Sequence, residues 1–309
     1  MIRYLPNYIF SAALLCVAGC GGGGGDSERT TNACGAIGLG AKIINGQACD
    51  NIAQATVVRI AAVVNNGGEL SRIPLCTGTM ITPDTVLTAA HCIINEVAGL
   101  PVVNQGILVG EPGSARYVPG QSFSIAPGYT FNAAVGRLFN DAAVIRLRQS
   151  AGLPTTPVLD SRSPKVGEEG YVYGYGIREQ NDKDGESADF FFLEAGVMTV
   201  AEVTVNHLFV LFSGGGVNVC NGDSGGPLMV ESNGSLAIAG VVSQGSVEGC
   251  VSGDVTTFTN LQSPTVQQWL GSVARPETRL SNWAPVGNGA WDSVASELAP
   301  EKLVEQAVR

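Results

Sequence analysis

Between Lys42 and about Leu261, short apolar runs alternate with turn-forming residues. Val, Ile, Thr and Leu gather in residues 56–64, 79–81, 106–109, 142–147, 170–173, 236–242 and 255–258, and Gly, Pro, Asn and Asp separate these runs. Many short strands bounded by turns predict an all-β sandwich or barrel. A helical period is nearly absent until Pro264–Val273. There Ser263 can cap, Pro264 suits the first turn, and Val266, Trp269 and Leu270 share one face. No internal repeat stands out. After Arg275 the chain turns polar, then weakly amphipathic from Ala290 to Arg309. This tail, residues 275–309, reads as a loosely docked helix or as disordered chain, and no function attaches to it.

The beginning of the chain has a different texture. Arg3 supplies a positive start, residues 8–17 are almost wholly apolar, and the run closes on Val17-Ala18-Gly19-Cys20. Residues 1–19 therefore read as a secretory signal, too short for a comfortable membrane span. The ending resembles the bacterial lipoprotein signal, whose cysteine becomes a lipidated N-terminus. That resemblance implies export from a bacterial cytoplasm and acyl chains on Cys20 that hold the protein on a membrane, in the periplasm or at the cell surface. An ordinary signal peptide would leave Cys20 incidental. Gly21 to Gly25 form no core element and suit a flexible tether.

Composition narrows the partners. Only 14% of the 309 residues are charged, and the net charge is −10. Such a chain lacks the Lys/Arg surface that nucleic acid requires. Export makes disulfides the expected state of the cysteines. Of eight, Cys16 and Cys20 belong to the signal, which leaves Cys34, Cys49, Cys76, Cys92, Cys220 and Cys250. Six cysteines allow fifteen pairings. No C-x-x-C occurs and candidate ligands are scattered, so neither a structural metal nor a cofactor is expected.

Three stretches carry chemistry. Cys220-Asn221-Gly222-Asp223-Ser224-Gly225-Gly226-Pro227-Leu228 holds one serine among glycines. Alone it reads as a tight turn, or as a loop presenting a nucleophile beside backbone N–H donors. Leu87-Thr88-Ala89-Ala90-His91-Cys92 offers an imidazole that can accept and return a proton near neutral pH. Asn140-Asp141-Ala142-Ala143-Val144-Ile145-Arg146-Leu147 puts one acid before an apolar strand. An isolated acid there would be a turn residue, but a catalytic imidazole needs an acceptor on its far nitrogen. His207, the other histidine, reads as a packed residue.

In the order His, Asp, Ser, these stretches resemble the chymotrypsin-type, trypsin-like serine protease family. The resemblance runs from about Ile43 to Val273, within a domain bounded at residues 43–274. It implies two six-stranded antiparallel β-barrels with a short C-terminal helix and the site in the cleft between them. It also implies a catalytic triad of His91, Asp141 and Ser224. Ser224 would attack the scissile carbonyl, His91 would serve as base and then acid, and Asp141 would orient His91. The N–H groups of Gly222 and Ser224 would form the oxyanion hole.

Family members are made as zymogens, with a new N-terminus that pairs with the acid before the nucleophile. Lys42-Ile43-Ile44-Asn45-Gly46 resembles the activation site, so cleavage after Lys42 would free Ile43 to pair with Asp223. Residues 20–42 would then be tether and propeptide, and the cleaving enzyme another protease or this one. The resemblance implies Cys76–Cys92 and Cys220–Cys250, which leaves Cys34 and Cys49 as the remaining pair. That bridge would keep the propeptide attached after cleavage.

The substrate pocket departs from the trypsin pattern. Asn218 occupies the floor position where an aspartate selects Arg or Lys. Ser243-Gln244-Gly245 resembles one wall, with Gln244 where tryptophan is common. Asp254 falls where many members carry glycine, so the acid would have moved to the facing wall and could still pair a basic P1 side chain. If the short loop after Cys250 shifts this correspondence, Asp254 would face water. The expected activity is a secreted serine endopeptidase acting on protein or peptide substrates. The alternatives are a silent surface-binding homologue or a hydrolase acting mainly on esters.

Overall fold

The structure is a computed structural model, and it describes residues 33–37, 41–42, 47–111, 113–176, 192–212, 217–246, 250 and 252–273. The signal segment, Cys20, the glycine tether, Ile43 and the tail after residue 274 lie outside the described residues.

Twelve of the strands close two antiparallel barrels. The first uses β1 (Val57–Asn66), β2 (Glu69–Thr82), β3 (Thr85–Thr88), β4 (Leu100–Val109), β5 (Arg116–Ile125) and β6 (Ala143–Leu147). They pair around the circle as β1-β2-β3-β6-β5-β4, and β4 returns to β1. The second uses β7 (Glu169–Gly174), β8 (Glu194–Val203), β9 (His207–Leu211), β10 (Pro227–Ser232), β11 (Ser235–Gln244) and β12 (Val255–Asn260). Their circle is β7-β8-β9-β12-β11-β10, closed by β10 on β7. Position for position the two circuits are the same, although no sequence repeat betrays it. Closure leaves neither sheet a long edge to protect.

Local sequence explains why the strands curve so tightly. A Cβ on Gly120 would lie 2.2 Å from the Gln105 carbonyl oxygen, and one on Gly106 would lie 2.3 Å from that of Val118. Only glycine lets β4 and β5 approach this closely. The run at residues 57–64 is buried without alternation, since both faces of β1 are covered. One apolar cluster fills the first barrel and extends to Tyr173, Tyr175 and the C-terminal helix, and a second fills the other barrel around Leu208, Leu228, Val230 and Phe258.

Helix α1 (Pro264–Val273) leaves the second barrel and packs back on the first. Val266, Trp269, Leu270 and Val273 are buried, and Trp269 Nε1 donates to Ser124 Oγ on β5 at 3.0 Å. The Ser263 carbonyl accepts the Gln267 N–H at 2.9 Å, which starts the helix. None of the described helices is long and apolar enough to cross a membrane.

At the amino end, a helical turn at Ala33–Ala36 is tied by Cys34–Cys49 to a short strand, Gln47–Cys49. That strand pairs with Ala41–Lys42 on one side and with Glu194 and Ala195 of β8 on the other. Tyr173 donates its hydroxyl proton to the Ala33 carbonyl at 2.8 Å.

Because α1 bridges the barrels through one large side chain, Trp269→Ala should lower stability by about 3–5 kcal/mol. Trp269→Phe should lose much less. Urea unfolding of both variants measures this, and equal midpoints would contradict the bridging role.

Candidate active site

Asp141 precedes β6 and is fully buried at the seam between the barrels. Its Oδ1 accepts the His91 backbone N–H at 2.9 Å, and its Oδ2 lies 2.7 Å from His91 Nδ1. Ser243, on β11 of the second barrel, donates its hydroxyl proton to the same Oδ2 at 2.6 Å. Thr259 Oγ1 donates to the Asp141 carbonyl at 2.9 Å. Asn140 takes φ 50° ahead of it and is held by its amide to the Pro127 carbonyl at 2.8 Å. Asparagine tolerates this left-handed turn, which aims Asp141 inward.

His91 lies in the 3₁₀ turn Ala90–Cys92 that follows β3, and its side chain is 27% exposed. A carboxylate only accepts hydrogen bonds, so Nδ1 carries the ring proton. Nε2 of the neutral ring therefore keeps its lone pair, which fits it to take a proton from an alcohol.

Ser224 comes from the second barrel, in the turn that enters β10. The first barrel holds this turn through one residue, Thr77. Its N–H donates to the Ser224 carbonyl at 2.8 Å and its hydroxyl to the Gly222 carbonyl at 2.9 Å. Thr77 Oγ1 in turn accepts the Tyr175 N–H at 3.1 Å, while Thr88 donates to the Thr77 carbonyl at 2.8 Å. The neighbouring disulfide, Cys76–Cys92, fixes Thr77 relative to His91. Among the described residues, no hydrogen bond joins Ser224 Oγ to His91. Sequence reasoning missed Thr77, because a threonine after a cysteine carries no signal of its own.

The glycines of the turn have specific tasks. Gly222 adopts φ 96° and Gly225 φ 82°. A Cβ on Gly225 would fall 2.1 Å from Thr88 Oγ1 and 2.3 Å from the Thr77 carbonyl oxygen. Among the described residues, the N–H groups of Gly222 and Ser224 donate to no protein acceptor.

Asp223 as a residue is only half-buried, yet its carboxyl is enclosed against Gly174 and Gly176. It accepts the Gly176 N–H and the Cys220 N–H, each at 2.8 Å. Desolvation outweighs these two donors and raises its pKa from 3.8 to about 7, with the Glu194 charge adding to the rise. Lys42 lies in the hairpin strand opposite Ala48.

The residues expected to form the pocket fall into two groups. Asp254 is fully buried beside Asn218: its Oδ2 accepts the Asn218 amide at 3.1 Å, and its Oδ1 accepts the Ser246 N–H at 2.7 Å. A Cβ on Gly245 would lie 3.1 Å from both carboxylate oxygens, so the acid faces Gly245. The Cys220–Cys250 bridge closes this group, with the Asn218 amide on the Cys250 carbonyl at 3.1 Å. Ser243 and Gln244 point elsewhere. Ser243 serves Asp141, and Gln244 reaches a hairpin at residues 130–139. The cluster of Cys76, His91 and Cys92 is unsuited to a metal, since both sulfurs are in a disulfide.

Gly225→Ala should cost more than about 2 kcal/mol of stability, because a strained φ and a backbone clash coincide. A chain with an unaltered urea midpoint would contradict this packing. Asp223 makes a second prediction. Between pH 3.8 and about 7 the native carboxyl holds a proton that the unfolded chain has released, so stability falls as pH rises through that window. Asp223→Asn should remove this slope in urea titrations of the intact chain.

A sequence model of the trypsin family matches residues 43–270. Human chymotrypsin-like elastase family member 1 is 30% identical over 233 residues, covering 70% of this chain and 86% of its own length. Bovine chymotrypsin-C is 31% identical over 198 residues, 57% of this chain and 69% of its own. Two closed barrels, a buried acid holding an imidazole from one and a serine turn from the other thus accompany sequence kinship over most of the folded chain, which belongs to the trypsin family of serine proteases.

Proposed function

We propose that the protein is an exported serine endopeptidase, made as a zymogen, that hydrolyses peptide bonds through an acyl-enzyme on Ser224. The observation that carries this reading is the Asp141–His91 pair, which places the ring proton on Nδ1, in a barrel that also binds the backbone of the Ser224 turn. Ser224 Oγ adds to the scissile carbonyl carbon as its proton passes to His91 Nε2. The oxyanion that forms is met by the Gly222 and Ser224 N–H groups, each worth 10²–10³ in rate, roughly. His91 returns the proton to the departing amine as the C–N bond breaks, and water repeats the sequence on the ester. The pairing of His91 with Asp141 stabilises the imidazolium between these steps.

The zymogen reading is supported by Asp223, whose enclosed carboxyl would gain from an ammonium. Cleavage after Lys42, by another protease or by this one, would supply it as the Ile43 N-terminus. The freed chain would remain joined to the propeptide through Cys34–Cys49, and through Cys20 to a bacterial membrane. A cation beside Asp223 lowers its pKa, so cleavage should reverse the pH slope: stability would then fall as pH drops. Urea titrations before and after cleavage read this, and an unreversed slope would defeat the switch.

For the P1 residue we propose a preference for Arg or Lys, supported by the buried Asp254 carboxylate beside Asn218 and Gly245. A small aliphatic P1 is the second reading. It is favoured by the hydrogen bonds on both Asp254 oxygens and by relatives named elastases. A P1 library on the cleaved enzyme, alongside Asp254→Gly, separates them. Loss of basic preference in the variant is expected; an aliphatic preference in both would overturn the pocket assignment. A fluorophosphonate should label the cleaved chain and not Ser224→Ala. No labelling would leave a silent binding protein, and turnover of esters alone would leave an esterase.

A further inference from the structure

The hairpin formed by Thr130–Asn132 and Arg137–Phe139 belongs to neither barrel. It interrupts the chain just before Asp141 and carries Phe131 and Val135 exposed. An isolated two-stranded ribbon is marginal in water. What holds this one is a set of contacts from the opposite barrel to residues 136–139. Gln244 Oε1 accepts the Leu138 N–H at 2.9 Å, and Gln244 Nε2 donates to the Gly136 carbonyl at 2.9 Å. His207 Nε2 lies 2.8 Å from the Leu138 carbonyl, which can only accept, so Nε2 bears the proton. The same imidazole meets Phe139 edge-on with ring centroids 4.7 Å apart, and Arg137 lies 4.7 Å above the Phe209 ring. One amide and one imidazole thus do for Leu138 what a neighbouring strand does for an edge residue.

We infer that Gln244 and His207 are positioning residues that clamp this hairpin across the mouth between the barrels and so fix a wall of the cleft for extended peptides. The inference rests on the endopeptidase reading. Gln244 directly follows Ser243, whose hydroxyl is bound to Asp141. The clamp and the triad therefore share one strand end while using different side chains. Acylation needs Ser243 and Asp141 in place and does not need the clamp. A long substrate lying along the cleft meets the hairpin, and a wall free to swing away costs it binding energy through the ordering it must then impose.

Gln244→Met keeps the side-chain length without the amide, and His207→Phe keeps the ring without its donor. In the intact chain, hydrogen exchange of the Leu138 amide should quicken about five- to tenfold in Gln244→Met, while amides of β6 stay unchanged. In the cleaved enzyme, both variants should raise KM for a hexapeptide several-fold and leave kcat/KM for a single-residue ester unaltered. Unchanged Leu138 exchange would overturn the clamp. Equal losses on both substrates, or no KM change on the hexapeptide, would overturn its role in substrate binding. If the wild-type enzyme cleaves neither substrate, the endopeptidase reading falls, and the exchange measurement still decides the clamp.

Discussion

A carboxyl group withdrawn completely from water needs donors on every side, and Asp141 obtains them from two barrels at once. The first barrel gives the backbone and ring N–H groups of His91, and the second gives the Ser243 hydroxyl. Removing a donor from a buried acid is far more damaging than the bond's net worth suggests. The two barrels therefore have to stay in register for this one residue to be tolerable. Thr77, Tyr175 and the Trp269 helix enforce that register from different directions.

The second constraint is the enclosure of Asp223. Asp141 is matched by donors from both barrels, whereas Asp223 has two backbone N–H groups and a carboxyl raised towards neutrality. Asp141 precedes a strand of the first barrel and Asp223 sits within the Ser224 turn, the one completed by the fold and the other incompletely met by it. The turn that holds Asp223 contains Gly222 and Gly225, both at positive φ, which gives its backbone conformations closed to other residues. The barrels themselves, closed and glycine-tightened, have little freedom to respond.

Much of this was legible in the sequence, and the exceptions have physical reasons. The helix at Pro264–Val273 was readable to the residue, since its apolar spacing and its proline agree. Strand β5 was not, because Pro119 and Gly120 interrupt its alternation; those residues are there for the barrel's curvature. The histidine, acid and serine stretches and their order stood out because the chemistry they suggest restricts them to few residue types, and the structure joins His91 to Asp141. Thr77 was not, because its role depends on two backbone atoms 145 and more positions away in the chain. Gln244 appeared as a wall of the pocket, and its amide instead faces the hairpin, a partner that only the folded chain supplies. The shared circuit of the two barrels left no trace in the sequence because strand pairing depends on pattern and length more than on identity.

The bridge between Cys34 and Cys49 has a topological consequence. With Lys42 inside it, this stretch of chain is a small covalent ring. Hydrolysis anywhere within the ring linearises it without releasing a fragment. A new end created at residue 43 would be only six residues from its anchor at Cys49, within reach of about 20 Å. Its effective concentration at the second barrel would be set by this short leash, on the order of millimolar, whatever the amount of protein present. The arrival of such a chain end would be an intramolecular event, insensitive to dilution.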